Sequence, residues 1–505
     1  MEQIELHRNH LLYRRQFILG PRYLKKFSRW KKKRINQNLF LMVHPDLELN
    51  YISNNHISLI LLGFILDPYN PRYSNKDILN KLIEDDNTFK EFVRSTYNLG
   101  GRWIIIYKDN KSIKIFHDAA GDRQIYYSKN NSEIWCASQP HTIAKELNLK
   151  KSKDKDLNKF ITSNVFNKNE HAWAGDGTLY NNIKHLLPNK YLDLKNGSCV
   201  RYWPDKKLKE ISIKEAIDKS SEILKGLLKN ANNRYNLMLA VTSGLDSRVL
   251  LAASKEIRKD VFYYIQKFGN LNYKSADIKI PLKLFPKLNL KFNVIECEKN
   301  IDNEFDSILK KNVSIIQSDK KKLLHYNFYK NFQGKLNVGG NVSEIARDFF
   351  NSTENPNPNT AEKLAEIFRE GGEKFAIRNF EKWLNEIKAI TSKFGINILD
   401  LFYWEQRIGN WCASFGAELD IAIEHFYPFN CRKLLEILLS VNKKYRKHPD
   451  YTLYKELIKQ LWSDTLKEPI NSIKITKKLQ NLIILFLNKI HLYPLVKSVY
   501  DRIRK

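Results

Sequence analysis

The sequence predicts an α+β unit with antiparallel sheets, followed by an α/β unit with a parallel sheet and a helical C-terminal part. Three observations predict this. Short β-branched and aromatic runs separated by turn residues fill the first 140 positions. From about residue 211 apolar strand-like runs alternate with amphipathic helical ones, the rhythm of a parallel sheet with helices on its faces. After about residue 360 the pattern is almost wholly helical.

The strands of the first unit are expected at Asn38–Val43, Ile57–Ile65, Arg102–Tyr107, Ile113–His117, Gln124–Tyr127 and Ile134–Ala137, with one helix over Asn75–Tyr97. Asp109-Asn110, Gly121-Asp122 and Asn130-Asn131 supply the turns. The basic, aromatic residues 1–34, ending in Lys31-Lys32-Lys33-Arg34, read as a loosely packed arm. Lys150–Asp156 reads as a charged linker, and Gly177–Trp203 as a bridging segment with a hairpin at Asn196-Gly197. The second unit is expected to run helix Ile213–Lys229, strand Asn236–Val241, helix Ser247–Ile257, strand Val261–Gln266, helix Ala276–Phe285 and strand Lys291–Ile295. The expected divisions are therefore 1–150, a connecting segment 151–210, 211–475, and a basic helical tail 476–505. That tail either lies on an anionic surface or packs on the second unit.

The chain has 505 residues and a formal net charge of +30. Such a balance attracts polyanions, or reflects the Lys-, Asn- and Ile-rich composition along the whole length. No nucleic-acid reader motif is evident, so a nucleic-acid partner is not expected. The five cysteines are widely spaced without a C-x-x-C pair, which argues against a disulfide framework and a structural zinc site and fits a reducing cytoplasm. No stretch of about 18 apolar residues is present.

The sharpest local signal is the apolar run Asn236–Val241, the turn Thr242-Ser243-Gly244-Leu245-Asp246-Ser247, and the helical run Arg248–Ala253. Small residues let main-chain N–H groups approach a phosphate, and the helix N-terminus adds partial positive charge. Thr242, Ser243 and Ser247 add hydroxyls, and Arg248 is a candidate for phosphate pairing. Asp246 fits a Mg²⁺ ligand or a helix cap. An ordinary capped strand–turn–helix has the same appearance.

This turn resembles the S-G-G-x-D-S pyrophosphate loop of the ATP pyrophosphatase superfamily, with Thr242 for the first Ser and Ser243 for the first Gly. Flanking segments resemble the asparagine synthetase-like family in order. They are Gly101-Arg102-Trp103 to Tyr107, Asp118, Gly121, Tyr126-Tyr127, Ala137-Ser138, Gly177-Thr178-Leu179-Tyr180, Leu187-Pro188, Arg201-Tyr202-Trp203 and Tyr427-Pro428-Phe429-Asn430. The resemblance implies a glutaminase-like first domain and an ATP pyrophosphatase second domain. It implies ATP and Mg²⁺ as cofactors, and an enzyme that activates a carboxylate as an acyl-adenylate, releases pyrophosphate and forms an amide.

It also implies a departure. The family's glutaminase uses an N-terminal cysteine, where this sequence reads Met1-Glu2-Gln3, and its oxyanion Asn-Gly appears as Leu62-Gly63. Glutaminase activity is therefore expected to be absent, with ammonia or another amine as donor. The first domain then serves as support or binds another amine. In the second domain the resemblance assigns Gly340 to a Gly-rich loop and Glu344, with Asp246, to metal or the reacting centre. Ser343 replaces the family's Asp there.

Further candidates come from position. Gln266 at a strand's carboxyl end and Asp277 just after are placed near the nucleotide. Asp277 is equally a helix cap. Tyr403 and Arg407 fall four apart on one helical face, and the resemblance implies a Tyr–Glu base, here Tyr403 and Glu405, and a lysine for the leaving pyrophosphate, Lys455 or Lys467. Aromatics at this spacing are otherwise core. A tRNA-modifying enzyme and a non-catalytic scaffold are the alternative functions.

Overall fold

The computed structural model describes residues 10–84, 88–130, 133–352 and 358–470. The expected basic tail lies outside them. Two antiparallel sheets of six strands each form the N-terminal part. One has the order β10 (Lys184–His185), β8 (Tyr126–Asn130), β9 (Glu133–Ala137), β1 (Phe17–Gly20), β3 (Leu39–Val43), β2 (Lys31–Asn36). The other runs β12 (Cys199–Arg201), β11 (Lys190–Asp193), β7 (Ile113–His117), β6 (Gly100–Lys108), β5 (Ser58–Leu66), β4 (Leu49–Ser53).

Alternation along these strands puts one apolar set between the sheets. Phe17, Leu19, Leu41 and Val43 pack with Ile60, Leu62, Ile104, Ile106 and Ile115 in a single core. The opposite face of the second sheet, with Leu61, Ile105 and Phe116, joins the larger core that also holds the C-terminal helices. All six expected strands are present, with the Gln124–Tyr127 one starting two residues later. The turn at Gly197 (φ +73°) closes the expected hairpin between β11 and β12.

Three local expectations are corrected. Within the arm expected over 1–34, Phe17–Gly20 is the buried inner strand β1 and Lys31–Arg34 belongs to edge strand β2, where lysines on an unpaired edge oppose further strand addition. The helix expected over Asn75–Tyr97 is two helices, Asn75–Glu84 and Phe89–Ser95. The second starts at a capping box in which Thr88 accepts from Glu91 N and Glu91 accepts from Thr88 N. Lys150–Asp156 is tied down as well: Asp154 caps helix Lys155–Ile161 and pairs with Arg378.

The C-terminal part is built on a five-stranded sheet, all parallel. Its order is β15 (Asn293–Glu296), β14 (Phe262–Lys267), β13 (Asn236–Ala240), β16 (Lys335–Val338), β17 (Glu424–Phe426). The predicted helix–strand alternation from 211 to 295 appears element for element. Strand β17 is an exception to the helical reading after 360; its three residues are too few to show a period.

The chain leaves β13 toward β14 and β15 on one side, and returns to add β16 and β17 on the other. A parallel sheet with this reversal opens a crevice beyond the carboxyl ends of the two strands where the order switches, here β13 and β16.

Helix Ile213–Arg234 fastens the two halves. A Cβ on its Gly226 would lie 1.9 Å from Pro68 O, so only glycine permits this approach. Its Asn230 donates to Asn70 O at 3.2 Å. A buried charge cluster adds a second tie. Arg102 on β6 pairs with Asp420, Glu424 (2.8 Å) and Asp122 (3.2 Å), and Arg123 meets Glu424 at 3.0 Å. Asp420, Glu424 and His425 lie close enough together to hold a cation. The two guanidiniums already fill that role, and they hold the Glu424 carboxyl far below its ordinary range despite burial.

Candidate active site

The turn after β13 and the turn after β16 meet at the switch point. Strand β13 ends with Val241 N bonded to Tyr264 O at 2.9 Å, and helix Leu245–Ala253 starts with Gly244 as its N-cap. The N–H groups of Leu245, Asp246 and Ser247 open the helix, the end that attracts anions. Across from them, a Cβ on Gly340 would come within 2.8 Å of Asp246 Cβ and 3.2 Å of Ser247 N. The predicted glycine is therefore required by close backbone approach. Val342 follows at φ +79°, a left-handed conformation that costs a β-branched residue about 1–3 kcal/mol and is held by complete burial.

The preceding part of the turn is bonded to the protein's own side chains. Thr242 N donates to Ser247 Oγ (3.1 Å), and Gly244 N to Thr242 Oγ1 (3.0 Å). Ser243 N (3.1 Å) and Ser243 Oγ (2.6 Å) both donate to Asp277 Oδ1. Asp277 thus caps the turn rather than its own helix, for which no side-chain cap is formed.

Asp246, Glu344 and Arg347 form a compact charged group. The Ser343 hydroxyl donates to Asp246 Oδ1, and Arg347 lies 3.1 Å from Asp246 Oδ2 and 3.6 Å from Glu344 Oε1. Burial, then the neighbouring Asp246 charge, pushes Glu344 up to about 7, with Arg347 opposing. Burial also raises the Asp246 carboxyl. Tyr454 donates to Ser343 O at 2.8 Å, and the Arg347 guanidinium sits 5.6 Å from the Tyr451 ring centre. Tyr403 reaches this group: burial and the Glu344 charge hold its phenol neutral.

Hard oxygen ligands are the right kind for Mg²⁺, which needs only one or two carboxylates when phosphates supply the rest. Glu344 Oε2 is buried without a hydrogen bond and offers a lone pair. Asp246 has both oxygens partnered, so a metal there must displace Arg347.

Four candidates lie outside that charged group. Arg248 points away from the turn: its buried guanidinium donates to the carbonyls of Thr465, Glu468 (2.8 Å) and Pro469 (3.2 Å). Burial lowers it to about 10. Glu405 is on the far side of its helix from Tyr403. It is fully buried among Arg201, Trp383 Nε1 (2.8 Å) and Asn189 Nδ2 (2.8 Å), so the proposed Tyr403–Glu405 pair does not exist. Two residues apart on one helix, their side chains leave on nearly opposite sides. Lys467 is exposed and paired with Asp464 at 2.8 Å. Lys455 is exposed on helix Thr452–Trp462, whose buried Tyr454 is the side chain that meets the site.

Gln266 sits at the carboxyl end of β14, as expected, with Oε1 accepting from Asn327 Nδ2 at 2.9 Å and its buried Nε2 unpartnered. Asn430, matched to the family's acidic position, instead joins the halves: Ala120 N donates to it at 2.8 Å and it donates to Gly101 O at 3.0 Å. Sequence reasoning gave Arg347 no role; its place three residues after Glu344 was the available signal.

The first part shows no thiol poised for attack among the described residues. Cys136 is buried in β9 and its thiol pushed far up by burial. Gly63, at φ +91°, donates its N–H to Glu48 O at 2.9 Å.

No family model and no curated protein matches the chain. Among solved structures it is similar to a glutamine phosphoribosylpyrophosphate amidotransferase from B. subtilis complexed with ADP and GMP. Identity is 9%, coverage 63% of this chain and 90% of that one, and the TM-score 0.25. An NH3-dependent NAD synthetase from Campylobacter jejuni is similar at 14% identity, covering 39% of this chain and 93% of that one, with a TM-score of 0.22. A third, described as the allosteric regulatory enzyme of purine biosynthesis, gives 11% identity, 74% and 76% coverage and a TM-score of 0.25. At these scores the likenesses carry no argument.

Proposed function

We propose that this chain is an ATP-dependent ligase of asparagine synthetase-like type. It activates a carboxylate as an acyl-adenylate and passes the acyl group to ammonia or another amine. The observation that carries the reading is the meeting of the β13 and β16 turns at the sheet's switch point, with Gly340 against Asp246 and Ser247. The helix N-terminus at Leu245–Ser247 receives phosphate oxygens. Mg²⁺, when bound with ATP, offsets phosphate charge; Glu344 supplies the free carboxylate oxygen.

The substrate carboxylate oxygen attacks the α-phosphorus and pyrophosphate leaves. The amine nitrogen then attacks the acyl carbon, gives up a proton, and AMP leaves. Arg347 orients Glu344, and Tyr403 lines the same side. Residues 1–150 act as a support, 151–210 connect the two domains and add β10, β11 and β12 to the sheets of the first, and 211–475 form the synthetase domain, in the cytoplasm.

One observation favours a non-catalytic scaffold instead. Three turn amides, of Thr242, Ser243 and Gly244, are already bonded within the protein. ATP–pyrophosphate exchange separates the readings. Exchange that requires one member of a panel of carboxylic acids supports the ligase. ATP binding without exchange for any acid supports the scaffold, and exchange that requires tRNA supports a tRNA-modifying enzyme.

A further inference from the structure

A cavity of about 580 Å³ opens where β2 begins and β3 ends, far along the first sheet from the charged group. Tyr13, Phe27, Trp30 and His44 give it aromatic walls, and Lys26 and Arg29 add cations. No Asp or Glu lines it among the described residues. Trp30 is half-buried and stacks on Phe27 with ring centres 4.2 Å apart; the Trp30 and His44 rings meet edge to face at 5.6 Å. Pockets for organic ligands run roughly 300–1,000 Å³, so the space admits a nucleobase with its sugar.

Cations continue from the pocket along the sheet. The register sets Lys32 opposite Met42 and Arg34 opposite Phe40. Met42 packs with Phe27 on the outer face of the first sheet, so these two cations share the face that carries the pocket. About 6.5 Å of strand separates them. The Lys32 ammonium lies 5.8 Å from the Tyr23 ring centre and the Arg34 guanidinium 5.8 Å from that of Phe40, and the two rings pack together at 4.8 Å. Lys26 is paired with Glu146, whereas Arg29, Lys32 and Arg34 are exposed and without a carboxylate partner among the described residues. Residues 6–45 contain no Asp or Glu. Like charges gathered in this way build a positive potential that a polyanion relieves.

Rings beside cations are the combination that holds single strands, with bases stacked on the rings and phosphates on the cations. A duplex keeps its bases inside the stack, out of reach of a concave pocket. Firm seating on a membrane takes exposed apolar side chains, and Leu24, Ile35 and Leu39 here are buried. We propose that this face binds single-stranded nucleic acid, with one base in the pocket against Trp30 and the adjoining phosphates along Arg29, Lys32 and Arg34. The proposal does not rest on the ligase reading.

Fluorescence anisotropy of a labelled single-stranded oligouridylate with the full chain tests it. Lys32→Ala with Arg34→Ala is expected to weaken binding at least tenfold and to flatten its logarithmic salt dependence, by roughly 0.7 of slope for each cation lost. Trp30→Leu is expected to weaken binding at least fivefold with the salt slope unchanged. Where that variant fails to fold, Arg29→Ala at the exposed rim takes its place, with at least a threefold loss. Lys206→Ala with Lys207→Ala, two exposed lysines beside helix Arg432–Leu439, is expected to leave affinity within twofold. Equal losses from the two paired lysine and arginine variants would overturn the proposal. So would equal affinity for a duplex of the same length or for phosphatidylglycerol vesicles, or no binding of the oligonucleotide.

Discussion

The Asp277 carboxylate accepts both the main-chain N–H and the hydroxyl of Ser243, at 3.1 and 2.6 Å. An acidic side chain therefore holds a donor in the turn assigned to an anionic ligand. A triphosphate that uses the Ser243 amide must displace it. Hydrogen bonds to a charged group contribute about 1.5–3 kcal/mol.

Asp277→Ala is accordingly expected to tighten ATP binding by roughly tenfold, equivalent to about 1.4 kcal/mol. Equilibrium dialysis with labelled ATP measures it. Weaker binding in the variant would mean that Asp277 helps to hold the nucleotide or its metal.

Gly340→Ala places a methyl 2.8 Å from Asp246 Cβ and 3.2 Å from Ser247 N. Both contacts lie at the start of a helix, where the backbone has little room to shift. ATP affinity is expected to fall at least tenfold, with a lower denaturant midpoint from the about 1–3 kcal/mol that overpacking costs. Unchanged affinity would show that the two turns do not form one site.

Glu344 predicts a pH dependence of stability. Its folded value, about 7, lies above the ordinary 4.5. Between these two values the folded chain keeps a proton that the unfolded chain has released. Stability therefore falls as pH rises through the window, by up to about 3 kcal/mol at about 1.36 kcal/mol per unit. Glu344→Gln is expected to flatten that slope, as denaturant titrations of the unliganded chain at pH 4.5 to 8 would show. An unchanged slope contradicts the assignment.

Glu405 predicts the opposite division. Arg201, Trp383 and Asn189 all donate to it in the interior. Glu405→Ala leaves Arg201 with Glu386 alone, at 2.9 Å, and leaves buried Trp383 Nε1 and Asn189 Nδ2 without an acceptor, a loss of about 1–3 kcal/mol for each orphaned donor. The variant is expected to unfold at a markedly lower denaturant concentration while, when folded, binding ATP as the parent does. Lost binding at full stability would restore a catalytic role.

The parallel-sheet half was legible because its strands are continuous apolar runs and its helices are amphipathic. Thr242–Ser247 stood out as small residues between a strand and a helix, and Gly340 through the family resemblance. What stayed hidden depends on long-range partners. Nothing near Arg248 reveals that its guanidinium satisfies carbonyls more than 200 positions away. Nothing near Ser243 announces Asp277. Glu405 was misplaced because a Tyr–Glu pair two residues apart on a helix does not share a face. Strand β2 was missed because lysines on an edge strand look like a solvated arm.

Amide hydrogen exchange with and without Mg·ATP tests the central claim most directly. The account predicts slowed exchange at Leu245–Ser247 and across Gly339–Glu344, at the two turns that meet beyond β13 and β16. Protection confined to other segments, or none at millimolar ATP, would contradict it.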